Sequence, residues 1–258
     1  PDEVGWIWDS KRELFWMLPG YMGADMGRCK GRATLVRGKP MTWSAKTREW
    51  AVAPFEVAPR GEWAKFAVYD PETDSAIRFY YHGGKGLTAQ MINLATGERM
   101  EPTYRGDANG EQINNARLGE EYAAIDVEGR RVWLIEPVQG RLYRYDIDSK
   151  KVHYEADTPV KNEKGENWPW ASAMPIWDSV NGVLLWPHIP SFSKPAVTLY
   201  VYHPDRKEWE KDAMKQPDGH PVKGNVAVFD PVQNALVLMG RNPYLWVYRY
   251  ASPGGQRQ

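Results

Sequence analysis

One pattern recurs five times along this chain and limits what it can become: a short apolar run that ends in aspartate. The runs are Trp6-Ile7-Trp8-Asp9, Phe66-Ala67-Val68-Tyr69-Asp70, Ala123-Ala124-Ile125-Asp126, Met174-Pro175-Ile176-Trp177-Asp178 and Val226-Ala227-Val228-Phe229-Asp230, and their aspartates are spaced by 61, 56, 52 and 52 residues. After each aspartate come a few polar or turn-forming residues and then a second apolar run: 14–18, 77–81, 132–135, 183–186 and 236–239. A third, alternating run follows at 142–146, 199–203 and 245–250, and in two units a short turn leads on to Trp50 or Trp209. A period of this size is the mark of a repeat architecture.

The repeat reads as an antiparallel meander of four strands. Asp followed by Pro or Ser is turn chemistry, because the carboxylate accepts from a backbone N–H two residues on and Pro presets φ. The first two runs are continuously apolar, which implies burial on both faces; the alternating third run implies one buried face. A single sheet of this kind cannot hide both faces, whereas sheets stacked around an axis can. The expected fold is therefore an all-β β-propeller of about five four-stranded antiparallel blades, with repeat units at about 1–58, 59–110, 111–160, 161–216 and 217–258 of one domain. The fifth unit shows no fourth strand before its Pro- and Gly-containing tail, so a three-stranded last blade is expected. Thirteen Trp and fourteen Tyr fit as flat fillers between blades.

The segment 225–231, continued by Leu238-Met239-Gly240 and Leu245-Trp246-Val247-Tyr248, resembles a kelch repeat of the galactose-oxidase-like propeller group. The Gly-Gly doublet that such repeats carry after the second strand is matched once, at Gly83-Gly84. The resemblance implies a propeller and, by analogy, a binding module.

Composition removes several function classes. Lys+Arg and Asp+Glu balance at 33 each, so no global field favours nucleic acid or an anionic membrane. The long apolar stretches are strand-sized, such as Ala235–Met239, against the ~20 residues a membrane-spanning helix needs. Cys29 is the only cysteine, which excludes an internal disulfide and CxxC metal sites. Opening at Pro1 without an apolar leader, the chain is expected to be an excised fragment or a processed, secreted or periplasmic form.

Meander topology places the strand two-to-three links and the links between units at one end, and these are mostly long: 19–40, 82–86, 104–119, 159–170, 187–195 and 216–224. Binding residues concentrate on loops held by a rigid scaffold. The candidate ligand-binding set on this end is Trp168, Trp170, Tyr21, His82, His188, His220 and Glu111, alongside Glu166 and Cys29. Trp168-Pro169-Trp170 could form an aromatic platform for a sugar ring or peptide, although a pair of this kind more often plugs the space between blades. His82, His188 and His220 come from three different units with no local His-x-His pair, so neither a metal nor another cofactor is expected. Tyr81-His82 is similar to the copper ligands of galactose-oxidase-type enzymes, but the context of Cys29 and His220 does not supply the rest of that site. Gly83-Gly84-Lys85-Gly86 opens no helix and reads as a tight turn rather than a phosphate cradle.

Two function classes remain. The first is a non-catalytic binding module whose long-loop end grips a protein or glycan, with no nucleic acid and no membrane insertion. The alternative is a carbohydrate-active enzyme on the same end, with carboxylates converging from several blades. Glu62, Glu120 and Glu121 stand where first strands begin, but Gly5, Ser172 and Asn225 fill the other such positions. The acidic set is incomplete, and the binding module is the expected function, with no catalytic residues.

Overall fold

A computed structural model describes residues 4–19, 39–57, 63–82, 86–100, 103–104, 122–136, 140–160, 174–188, 197–212, 214, 226–239 and 245–250. They form five small antiparallel sheets, the blades of a β-propeller. The first holds β1 (Val4–Asp9), β2 (Leu14–Pro19), β3 (Met41–Ser44) and β4 (Trp50–Val52). The second holds β5 (Trp63–Asp70), β6 (Ser75–His82), β7 (Gly86–Asn93) and β8 (Thr103–Tyr104); the third β9 (Tyr122–Asp126), β10 (Arg131–Glu136), β11 (Arg141–Asp146) and β12 (Lys151–Asp157). The fourth holds β13 (Ile176–Asp178), β14 (Val183–His188), β15 (Thr198–His203) and β16 (Glu208–Asp212), and the fifth β17 (Val226–Asp230), β18 (Ala235–Met239) and β19 (Leu245–Tyr248). Each sheet runs in chain order, and the last has three strands. No helix among the described residues is long and apolar enough to cross a membrane.

The repeat aspartates act through the turn that follows them. Asp9 Oδ1 accepts from the amides of Lys11 (3.0 Å) and Arg12 (3.1 Å), and Asp178 Oδ1 accepts from Val180 and Asn181, both at 3.0 Å. Asp70 and Asp230 repeat the contact with Glu72 and Val232. Four residues past the aspartate, the chain turns back through a left-handed residue: Glu13, Asp74, Arg130, Gly182 and Asn234, with φ between 48° and 67°. The hairpins between third and fourth strands reuse the device at Arg48, Gly97, Lys150 and Lys207. A carboxylate that satisfies two turn amides and a residue that accepts positive φ together fix the length and register of each hairpin.

The chain divides into two compact units: Pro1–Glu121 with Val127–Val132 and Arg144–Tyr154, and Tyr122–Asp126 with Trp133–Tyr143 and Glu155–Gln258. Within the first unit, Ile7, Trp16 and Leu18 of the first sheet pack on Ala67, Tyr69 and Ala76 of the second. Polar contacts tie the turns of adjacent blades there. Arg12 donates to its own Asp9 and to Asp74 (2.8 Å to Oδ1), and Arg130 donates to Asp70 (2.7 Å) and Asp148. Burial opposes ionisation of Asp70, but the bonds from Arg130, Thr73 and the Glu72 amide outweigh it and hold the carboxyl below its ordinary range. Arg12 does the same for Asp74.

Within the second unit, two sheet junctions differ in chemistry. The third and fourth sheets meet through aromatics: Trp133 stacks on Trp177 (6.0 Å) and meets Tyr202 edge-on (5.7 Å), with Leu184, Trp186 and Ile135 around them. The fourth and fifth meet through aliphatics, Val183, Leu185, Leu199 and Val201 against Leu236 and Leu238. The turns here are tied by a neutral amide, since Asn181 Nδ2 donates to Asp178, Asn234 and the Tyr250 carbonyl.

Burial on both faces, expected for every first and second strand, holds only in part. In β1, Gly5, Ile7 and Asp9 are buried while Trp6 and Trp8 are exposed, and Phe15 is exposed beside them. The first sheet covers one face on the second sheet, and its other face carries aromatic rings to the surface.

Candidate binding end

Strand order sets which chemistry each end of a blade can carry. The first-to-second and third-to-fourth strand turns, such as 10–13, 71–74, 127–130, 179–182 and 231–234, are short and each closes through a left-handed residue. At the opposite end the β2–β3 link 20–40 and the links between sheets, 53–62, 105–121, 158–175 and 213–225, hold much more chain, whereas β6–β7 and β10–β11 are joined by the short links 83–85 and 137–140.

His188 is the candidate whose side chain lies within the described residues. It closes β14 opposite Thr198 of β15 and is buried. Its ring sits edge-on to Trp186 (centroids 5.1 Å apart) and to Tyr200 (5.9 Å). Desolvation lowers its pKa to about 4, so the ring is neutral at neutral pH. Burial raises the Tyr200 phenol in the same environment. The cluster continues inward through Trp186, Trp209 and Tyr202, with ring centroids 5.1–6.0 Å apart. Glu136 closes β10 ten residues past Asp126, as His188 closes β14 ten past Asp178, and it too is buried. Two blades thus end their second strands in a buried polar side chain at the same repeat position.

The other candidates are placed less fully. His82 ends β6, where its backbone pairs with Gly86; its side chain lies outside the described residues. Tyr21, Glu111, Trp168, Trp170 and His220 lie outside them altogether. Of the remaining histidines, His153 stands on the outer strand β12. His203 lies at the capped-turn end of β15, where its Nε2 lies 3.3 Å from Glu210 Oε2 and 3.3 Å from the Tyr250 hydroxyl. Among the described residues, no three His, Cys, Asp or Glu side chains gather as a metal-sized group.

A second candidate surface was not singled out by sequence reasoning. On the exposed face of the first sheet, Trp8, Phe15, Trp43 and Trp50 are paired in register across all four strands. Trp8 and Phe15 are 4.7 Å apart by ring centroid and Phe15 and Trp43 5.9 Å; Trp6 meets Trp50 edge-on at 6.3 Å. Trp6 and Trp50 are each 52% exposed, an unusual display for the largest apolar side chain. The signal was present as the alternation Trp6-x-Trp8, but it was absorbed into an apolar run.

No family model and no curated protein matches this chain. Solved structures do. A structure of TolB from Acinetobacter baumannii aligns over 96% of this chain and 52% of its own, with a TM-score of 0.55 and 12% identity. A chain of a nidogen/laminin complex aligns over 78% of this chain and 66% of its own, with a TM-score of 0.50 and 16% identity. At these identities the likeness is one of fold, and this chain spans about half to two thirds of those chains.

Proposed function

We propose that this protein is a non-catalytic interaction module of kelch-like type, whose blades hold a protein partner at their loop ends. The observation that carries the reading is the state of the turn ends: they are consumed by caps, left-handed residues and interblade contacts, while several links at the opposite end, such as 20–40 and 158–175, are long. The repeat rhythm supports the kelch-like assignment, and one structural neighbour comes from a nidogen/laminin complex, an assembly of proteins. Tyr21, His82, His220, Glu111, Trp168 and Trp170 are the proposed contact set, with the two tryptophans as anchors and His188, buried against Trp186 and Tyr200, as a support rather than a contact; a glycan is the second ligand class.

The experiment is quantitative affinity capture, with a glycan array in parallel, on the Trp168→Ala/Trp170→Ala protein and on a turn-end control, Val232→Ser. Anchoring aromatics contribute about 2 kcal/mol or more each, so each single variant is expected to lose affinity ~30-fold and the double variant roughly 1,000-fold, with little change in melting temperature. Glu111→Ala serves as a milder variant. Retained capture by a folded double variant sinks the platform, and loss in the turn-end control moves the site to the other end.

A further inference from the structure

The turns of the fourth and fifth sheets are tied by a residue in a chemically reactive setting. In each repeat the residue three past the aspartate is followed by the left-handed one: Arg12-Glu13, Thr73-Asp74, Gly129-Arg130, Asn181-Gly182 and Gln233-Asn234. The fourth turn alone puts Asn before Gly, a pair that recurs in the chain once, at Asn109-Gly110. The left-handed position favours glycine, and Gly182 holds it with φ of 67°. Asn181 is half-buried and Gly182 exposed, and nothing lies within 4 Å of where a Cβ on Gly182 would stand.

The same asparagine holds three groups. Its Nδ2 donates to Asp178 Oδ2 (2.7 Å), to Asn234 Oδ1 (3.3 Å) and to the Tyr250 carbonyl (3.3 Å). Each of these partners is an acceptor. An amide suits the position and a carboxylate does not, because it has no proton to donate and sets a second negative charge beside Asp178.

We propose that Asn181-Gly182 is a deamidation site, and that its conversion releases the turn and the end of the fifth sheet from the fourth. The Gly182 nitrogen, unshielded by a Cβ, attacks Asn181 Cγ. A new C–N bond closes a succinimide ring, the Cγ–Nδ2 bond breaks, and ammonia leaves with the amide proton of Gly182. Water then opens the ring, giving Asp at one carbonyl and isoaspartate at the other. In the folded turn the Gly182 amide donates to the Asp178 carbonyl (2.9 Å) and Asn181 Nδ2 is held by its acceptors, so the reaction proceeds from the opened turn. Conversion removes the donor that closed the turn, and opening becomes irreversible. Isoaspartate also inserts a methylene into a hairpin of fixed length. This chemistry lies at the turn end and is independent of the loop-end reading.

Ageing the protein at mildly alkaline pH, followed by peptide mass spectrometry, tests the reaction. Asn181 is expected to convert well ahead of Asn93 and Asn234, which precede Leu94 and Ala235, and to convert faster in sub-denaturing urea. Hydrogen exchange tests the consequence. Asn181→Asp is expected to exchange roughly tenfold faster in the turns at 179–182 and 231–234, with the turn at 10–13 unchanged. Should that variant not fold, the aged form separated by ion exchange gives the same reading, in an Asn109→Gln background that removes the other Asn-Gly pair. Asn181→Gln, whose longer side chain cyclises slowly, should keep its turn exchange through ageing. Conversion at Asn181 no faster than at Asn234, or a converted protein whose two turns exchange as before, overturns the proposal.

Discussion

His188 shows how burial can convert a titratable side chain into a packing element. Its folded pKa of about 4 lies below the unfolded value near 6.5, so the folded state resists protonation. The stabilising difference is fully present above pH ~6.5, where both states are neutral, and it shrinks as pH falls toward ~4 while the unfolded chain gains the proton. Between pH 7 and pH 5 the loss is expected to be about 2 kcal/mol, read as a shift in the urea midpoint. His188→Gln, which cannot titrate, should remove that dependence. If the midpoint slope between pH 7 and pH 5 is unchanged in the variant, His188 is not its source. Asp70 and Asp74 act in a separate window: their lowered pKa values contribute stability above the unfolded carboxylate range, lost only as pH falls below ~4. The sequence ended the second strand at Trp186 and put His188 on the link after it, whereas β14 runs on to His188, which pairs with Thr198. It gave no sign of burial, because that depends on Trp186 and Tyr200 closing over the ring from the same strand and the next.

At the scale of the hairpin, the aspartate half of the turn was readable and the left-handed half was not. Asp-Pro and Asp-Ser are recognised turn starters, but Glu13, Arg48, Lys150 and Lys207 are not residues that advertise positive φ. Glycine occupies the equivalent place at Gly97 and Gly182, and the two are expected to differ when replaced. Gly182→Ala meets open space, so only backbone strain of about 1 kcal/mol is expected. Gly97→Ala adds a collision of the new Cβ with the Phe55 ring, so its melting temperature should fall further. Equal losses from thermal melts would show that Phe55 moves aside freely. The outer strand β8, two residues long, offers no pattern to detect; β12 is legible only as the outer strand that carries His153, because Val152 alone is buried along its sequence KVHYEAD and no apolar period sets its bounds. The outer strands led by Trp50 and Trp209 were visible because a large ring marks them.

Across the whole molecule, repeat spacing revealed the blade count, because the aspartates report the start of every turn whatever the loops between them do. Which blade faces would be covered was not legible, since Trp8 in the first sheet and Trp177 in the fourth stand in the same local pattern and differ only in their neighbours. The ties between turns carry a further consequence. In the first unit they are guanidinium–carboxylate pairs, Arg12 with Asp74 and Arg130 with Asp70, and in both the second blade supplies the carboxylate. In the second unit, Asn181 bridges Asp178 and Asn234 without a full charge on the donor. Screening by dissolved ions weakens the first kind of tie and leaves the second nearly untouched. Raising salt from about 10 mM to about 1 M should therefore speed amide hydrogen exchange in the turns at 10–13, 71–74 and 127–130 more than in those at 179–182 and 231–234. A uniform response, followed by mass spectrometry of peptides from each turn, would contradict this. The chain would then carry an ionic-strength gradient in local opening, with one stretch of otherwise equivalent hairpins responsive to its medium and the other indifferent to it.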